Sequence, residues 1–320
     1  MTDHWARKRQ ILQALANEQF VSGETLAQLL GVSRTAIANH ISALEEYGVD
    51  IYSVKGKGYK LVNPVSLVDE EKLTSATQQR CFYFNELAST NAFLLKHIDE
   101  LKSGDICVSE YQSAGRGRRG RTWLSPYGCH LYTSMFWSFP QGMSQAMGLS
   151  LVVACSLVNV LEAFGVSGLG VKWPNDIYLN HKKLAGVLVE MSGQTDSECN
   201  VVIGIGINMA MPSAQGDTID QPWSDLSELQ SKPSKTDLVI ALQKQLQMDL
   251  HLFEEQGLAA FMSRWQKADL FLNQAVTLSM ANNEVMGICK GIDEKGAILL
   301  ETREGVTAYV GGEISLRNAS

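Results

Sequence analysis

Between Glu110 and Trp123 the chain crowds three glycines (Gly115, Gly117, Gly120) and four arginines (Arg116, Arg118, Arg119, Arg121) behind Gln112. Glycine lets the backbone take positive φ and lets a ligand come close. Arginine offers a forked cation matched to carboxylate and phosphate. The combination describes a loop that closes over an anion. By itself it fits a solvated surface or a nucleic-acid patch equally well.

Further residues with chemical potential lie around this loop in sequence. Ser89-Thr90-Asn91 follows the strand-like run Cys81–Phe84 and opens a helix over 92–98, which sets small hydroxyls and N–H groups at a helix start. For that tripeptide taken alone, an ordinary N-cap is the favoured reading. In the strand-like stretch Val171–Tyr178, Pro174 removes a ladder donor and points to a bulge or a site, with Lys172, Asn175 and Asp176 beside it. Lys182 and Lys183 begin the next strand and face opposite ways, so one of them can be buried against a partner; two solvated lysines are the plain alternative. Val201–Asn208 reads as a buried strand whose Gly204 and Gly206 leave room beside it. Trp223, just past the polar 211–222 loop, is either a stray hydrophobe or a platform for a flat ring.

Three regions must position these residues: 1–63, 64–270 and 271–320. The first has helical spacing at Ile11, Leu12 and Leu15, then Ser22 capping a short helix that Gly31 can end, then Ser33 capping a helix over 34–47 with Ile37, Ile41 and Leu44 on one face. Small Ala27 and the Gly31 turn give helix-turn-helix spacing. Residues 49–61 form a hairpin wing with a basic tip at Lys55 and Lys57. A protein-contact module is the competing reading; the wing and turn favour DNA, with Ser22, Arg34, Thr35, Asn39 and His40 toward the groove.

The central region mixes strands with an apolar helix over 148–164 and amphipathic helices over 236–256 and 258–268. The last region has short strands at 275–279, 284–292, 297–301 and 306–310, the pattern of a small β barrel or sandwich. The class is therefore α+β.

Composition bounds the rest. The 320 residues are 45% hydrophobic and 19% charged, which suits two or three globular domains. No apolar run is long enough for a membrane span, and the start is followed by helical periodicity rather than a signal core, so an intracellular, cytoplasmic protein is expected. Six scattered cysteines without a CxxC pair read as free thiols. Residues 1–62 carry seven basic against six acidic side chains, and the remainder 20 against 28, within a net charge of −7. Any nucleic acid belongs at the amino-terminal end.

Taken in order, Ser89-Thr90-Asn91, Gln112–Gly120, Lys172–Asp176, Lys183–Gly186 and Gly204–Asn208 closely resemble the biotin protein ligases. With the helix-turn-helix ahead and Gly311–Ser315 behind, the whole chain is similar to the bifunctional bacterial biotin ligase and biotin operon repressors, without departure in these motifs. The resemblance implies a winged helix-turn-helix, a mixed α/β ligase domain of the class II synthetase-like kind, and a small SH3-like barrel. It implies an ATP-dependent, AMP-forming ligase that makes biotinyl-5′-AMP and passes biotin to a lysine of the biotin carboxyl carrier protein of acetyl-CoA carboxylase. It also implies repression at biotin operator DNA by an adenylate-bound homodimer. Implied binders of biotin or its adenylate are Ser89, Thr90, Asn91, Gln112, Arg116, Gly117, Arg118, Lys183, Gly186, Gly204 and Asn208. Lys183, Arg116 and Arg118 neutralise the carboxylate and α-phosphate. Lys172, Asn175, Asp176 and Trp223 are assigned to the nucleotide, and Mg²⁺ accompanies ATP with Asn175 and Asp176 as the nearest oxygen donors. Two other classes remain: a ligand-sensing transcription factor with an inactive ligase-like domain, and an acyl-adenylate ligase for lipoate. The intact Lys183 and Arg116–Arg118 run weigh against the first, and the polar set at Ser89, Thr90 and Gln112 against the second.

Overall fold

In a computed structural model of the chain, the described residues are 5–17, 19–63, 65–140, 142, 146–193, 198–212, 216–229, 232–280, 284–310 and 315–318. Met1–His4, the linker residue Pro64, positions 213–215 of the polar loop, the Asn282-Asn283 turn and Gly311–Ile314 lie outside them.

The chain begins with α1 (Ala6–Leu15), α2 (Gly23–Leu30) and α3 (Arg34–Glu46), followed by the β1 (Ile51–Val54) and β2 (Gly58–Leu61) hairpin. Both expected caps form: Ser22 Oγ accepts from Thr25 N at 3.0 Å and Ser33 Oγ from Ala36 N at 3.2 Å. Gly31 ends α2 in the left-handed conformation, φ 63°. Ile11, Leu26, Ile37 and Leu44 are fully buried between the helices. Val21 bridges Tyr59, which gives the hairpin a third short strand and completes a winged helix-turn-helix.

The middle of the chain comprises α4 (Glu70–Ala76), β3 (Cys81–Phe84), α5 (Thr90–Lys96), β4 (Ile106–Ser109), β5 (His130–Phe139), α6 (Leu149–Ala163), β6 (Leu169–Lys172), β7 (Asp176–Leu179), β8 (Lys182–Gly193), β9 (Cys199–Asn208), α7 (Lys235–Gln256) and α8 (Met262–Ala268). Its strands form a seven-stranded sheet in the order β3-β4-β5-β9-β8-β7-β6, antiparallel except for β3 with β4. Alternation decides what each face holds. Ile106, Val108, Met135, Trp137, Val201 and Ile203 join the main core with α6 and α7; Cys107, Phe136 and Val202 point the other way, under Leu94 of α5. α6 is buried on nearly every side, as its apolar run requires.

Two sequence expectations shift. Trp173–Asn175 is a hairpin turn between β6 and β7, not the middle of a strand, because proline can supply no ladder N–H there. The helix expected from 258 opens as a 3₁₀ segment, Gly257–Phe261, before α8.

β10 (Ala275–Ser279), β11 (Glu284–Ile292), β12 (Ile298–Thr302), β13 (Gly305–Tyr309) and β14 (Ser315–Asn318) make an antiparallel sheet ordered β13-β12-β11-β10-β14, and no pairing closes it into a ring among the described residues. Its inward residues, among them Val276, Leu278, Ile298 and Leu300, belong to the same core cluster as Leu149 and Trp173.

Glu110 joins the parts. Its carboxylate accepts from Lys235 Nζ at 2.8 Å, Val68 N at 2.6 Å and Tyr83 OH at 3.1 Å. Lys235 also donates to Gly128 O at 3.1 Å, and both side chains of the pair have no exposure. Lys235 opens α7, where a cation opposes the helix dipole, so the carboxylate offsets that term as well as the loss of water. Lys235→Met leaves the Glu110 carboxylate buried without its cation. Chemical denaturation should register a loss of about 3–5 kcal/mol. Lys235→Met with Glu110→Gln, which keeps acceptors for Val68 and Tyr83, should recover more than half; equal losses for the single and double variants would contradict the pairing.

Candidate active site

The site lies on the α5 face of the sheet. Along β9 the residues facing that way are Val202, Gly204 and Gly206; along β8 they are Glu190, Leu188 and Gly186, paired with them in register. Valine fills its place, and the glycines leave a hollow. A Cβ on Gly206 would stand 2.5 Å from Trp123 Cε2, and one on Gly204 2.3 Å from Asn91 Oδ1. The cavity above measures about 180 Å³. The room anticipated beside Val201–Asn208 is thus real, and the Trp123 indole lies in it.

The arginine-glycine segment forms one wall. Trp123 N donates to Gly115 O at 2.9 Å and Gly117 N to Arg121 O at 2.7 Å, so the loop folds back on itself around Arg119 (φ 57°) and Gly120 (φ 71°). Gly115 has no room for a side chain: a Cβ would lie 2.4 Å from Trp123 O. Arg116, Gly117 and Arg118 all line the cavity. Arg118 donates to Asn175 Oδ1 at 3.2 Å; burial pushes its pKa down, with Arg119 and Arg121 adding to this and Asp176 opposing.

The opposite wall holds the charged pair. Lys183 Nζ lies 2.8 Å from Asp176 Oδ2, with both side chains mostly buried, and 5.7 Å from the Trp123 ring centre. A register shift between Ile177 and Tyr178 sets Lys183 opposite Tyr178 and turns it inward, while Lys182 is exposed. Asn175 is committed on both sides, its Nδ2 donating to Val187 O at 2.5 Å. Lys172 lines the cavity near Tyr178, 3.4 Å from its hydroxyl.

Polar groups close the far end. Ser89 Oγ caps α5 through Ala92 N, and Thr90 and Asn91 are buried beneath it. Gln112 Oε1 accepts from Thr90 N at 2.9 Å and lies 3.2 Å from Thr90 Oγ1; its Nε2 donates to Ser125 Oγ. Ser134 Oγ stands 2.7 Å from Thr90 Oγ1 and 2.5 Å from Asn91 Oδ1. Two hydroxyl protons therefore serve three oxygen–oxygen contacts. The set is one donor short, and a ligand presenting N–H groups suits it.

Most residues singled out from sequence meet around this one cavity. Asn208 and Trp223 do not line it. Asn208 Nδ2 donates to Ser224 O at 3.1 Å and Lys183 O at 3.4 Å, and so braces the strand that carries Lys183. Trp223 pairs its backbone with Lys183 and donates from Nε1 to Gly216 O at 3.1 Å, behind the wall. Sequence reasoning gave no role to Trp123, Ser134 or Glu190. The period-2 glycines on β9 carried the signal for Trp123; nothing local marked the other two. In the amino-terminal region Ser22, Arg34, Thr35, Asn39, Lys55 and Lys57 are exposed, and His40 is half-buried.

Residues 82–208 match the biotin/lipoate A/B protein ligase family, residues 7–60 an HTH domain, and residues 271–317 the biotin protein ligase C terminal domain. The bifunctional ligase/repressor BirA of Escherichia coli (strain K12) is 46% identical over 310 residues, 97% of each chain. The chain belongs to the bifunctional biotin ligase/repressor family. The biotin–[acetyl-CoA-carboxylase] ligase of Paracoccus denitrificans is 32% identical across 71% of this chain and 96% of its own length. A biotin protein ligase from Aquifex aeolicus, solved with biotin and ATP, superposes with a TM-score of 0.65 at 28% identity, over 75% of this chain and 99% of its own.

The glycine floor makes a direct test possible. Gly206→Ala should displace the Trp123 ring, shift tryptophan emission and cost about 1–3 kcal/mol in denaturation. Unchanged emission would mean that the ring does not rest on that glycine.

Proposed function

We propose that the chain activates biotin with ATP and transfers it to a lysine of the carrier protein of acetyl-CoA carboxylase, and that the adenylate-bound form represses biotin-synthesis genes. The observation that carries the ligase reading is the Lys183–Asp176 pair facing the arginine wall across a cavity that ends in the Gln112–Thr90–Ser134–Asn91 set.

Biotin's ureido head supplies N–H donors to the donor-poor polar end, and lipoate has none. The carboxylate then lies toward Lys183 and Arg116. Its oxygen attacks the α-phosphorus of ATP, the bond to the bridging oxygen breaks, and pyrophosphate leaves. Two anions must meet in this step, so cations already in place do most of the work. Asp176 holds Lys183 at the wall. In the second step a neutral lysine amine of the carrier attacks the acyl carbon, AMP departs and the amine loses a proton. The Trp123 indole covers the cavity floor, and Arg118 helps exclude water from the mixed anhydride. Lys172, Asn175 and Asp176 are assigned to the nucleotide side. Trp223 is assigned to adenine as a stacking platform, although it stands outside the cavity lining with its Nε1 bonded to Gly216 O.

Asp176 is already engaged by Lys183, and Asn175 Oδ1 by Arg118, which is a poor donor set for a protein-held Mg²⁺. The ion is placed on the ATP phosphates as their counterion, and no step is routed through the protein side chains. With ATP and the carrier both in the cytoplasm, the reaction belongs there. The division 1–63, 64–270 and 271–320 assigns DNA binding, catalysis and the small sheet in turn. Arg34, Thr35, Asn39, His40, Lys55 and Lys57 meet the operator, and Ser22 acts through its helix cap.

Lys183→Ala should lower biotin-dependent pyrophosphate exchange into ATP about 10²–10³-fold while leaving the protein folded; lipoate should support no exchange with the wild type. Exchange at the wild-type rate in the variant would remove Lys183 from the chemistry. Sedimentation with and without biotin plus ATP should show dimers only with both, and operator affinity at fixed salt should rise with them, on the order of a 1–3 kcal/mol coupling. Assembly and affinity indifferent to adenylate would sink the repression model and spare the ligase.

A further inference from the structure

Arg116 lines the cavity, yet its guanidinium is turned to Glu190: Nη2 donates to Oε2 at 3.0 Å. The same oxygen accepts from Asn91 Nδ2 at 2.8 Å, and Asn91 is in turn tied to Ser134 in the polar end of the site. Glu190 sits on the ligand-facing side of β8, in register with Val202 and two residues beyond Leu188. A carboxylate there is an odd choice. Asn91 needs only an acceptor, which a neutral amide provides. Beside a site built for a carboxylate and a phosphate, a second fixed anion repels the ligands. The charge makes sense as a partner for Arg116.

We propose that Glu190 is a positioning residue that holds Arg116 aside in the ligand-free protein and yields it when the reacting anions arrive. The inference rests on the ligase reading for the identity of those anions. Arg116 is the member of the wall suited to such an exchange. Its side chain is 44% exposed and that of Glu190 26%, so the pair forms in a partly solvated setting where ion pairs are weak and replaceable. Because Glu190 Oε2 also binds Asn91, occupation of the polar end and release of Arg116 are joined through one atom. The first substrate to settle against Asn91 and Ser134 loosens the arginine that the second needs.

This arrangement makes an unusual forecast: removing a charged group from the site should improve retention of ligand. Glu190→Gln keeps an acceptor for Asn91 and removes only the competing charge. In the full-length protein, biotinyl-adenylate should dissociate about two- to fivefold more slowly from Glu190→Gln than from wild type, and pyrophosphate alone should bind about two- to fivefold more tightly. In an Arg116→Gln background the Glu190→Gln change should have no effect on either quantity. Raising the salt should shrink the difference between wild type and Glu190→Gln. Equal or faster adenylate loss from the variant, or the same gain without Arg116, would overturn the proposal. A wild-type protein without biotin-dependent pyrophosphate exchange would remove the ligase reading instead, and the pyrophosphate titration would still decide the Glu190–Arg116 exchange.

Discussion

A buried charge needs its partner, and the Glu110–Lys235 pair organises this molecule around that requirement. Glu110 is the last residue before the arginine-glycine loop, and Lys235 is the first residue of the longest helix. Between them they use hydrogen bonds from Val68, Tyr83 and to Gly128, so the segment entering the central domain, strand β3 and the far end of the ligand loop converge on one ion pair. Gly128 N returns a bond to Glu110 O at 2.9 Å, which closes the base of the loop whatever its tip does. A loop that must admit and enclose a ligand is useful only if its two roots stay fixed, and here they are fixed to each other.

The same base receives the winged helix-turn-helix. Trp5 stacks flat on Tyr127 at 4.3 Å, Tyr47 meets Trp5 and Tyr111 edge-on, and the Tyr47 hydroxyl donates to Glu86. Arg9 reaches Tyr83, Asn85 and Val68 O. Tyr111 and Tyr127 flank the stretch that supplies Gln112 and Trp123 to the site. The winged helix-turn-helix therefore rests on the shoulders of the ligand loop, held there by these rings, by Arg9 and by Tyr127 N donating to Tyr47 O at 2.9 Å. Aromatic pairs of this kind are worth about 0.5–1.5 kcal/mol each beyond their buried area.

Local signals were legible wherever one short stretch held the whole cause. Ser22, Ser33 and Gly31 fix helix ends through their own backbone neighbours, and the alternation along β9 announced its glycine gap. Strand alternation alone left Lys182 and Lys183 open, and only the family resemblance named Lys183; its inward turn follows from a register shift against β7 that pairing decides. Long-range roles were hidden for the same reason. Glu110 and Lys235 lie 125 positions apart, Asn91 and Glu190 99, and neither pair has a spacing that sequence could rank above others. Trp223 attracted attention as an aromatic just past a polar loop, while the tryptophan inside the cavity was the one already adjoining the arginine-glycine loop.

Trp173 carries a consequence for how the protein can be cut. Its ring is fully buried beneath the Lys172–Asp176 turn, and its Nε1 donates to Gly296 O at 3.0 Å, in the β11–β12 connection of the last sheet. The last sheet thus shares one core with the central sheet, and residues 270 and 271 stand between two elements of that core. An excised fragment ending there would expose an indole and an unpaired donor under the catalytic turn. The last sheet and the catalytic turn are therefore packed as one body, joined through the Trp173 ring and its bond to Gly296.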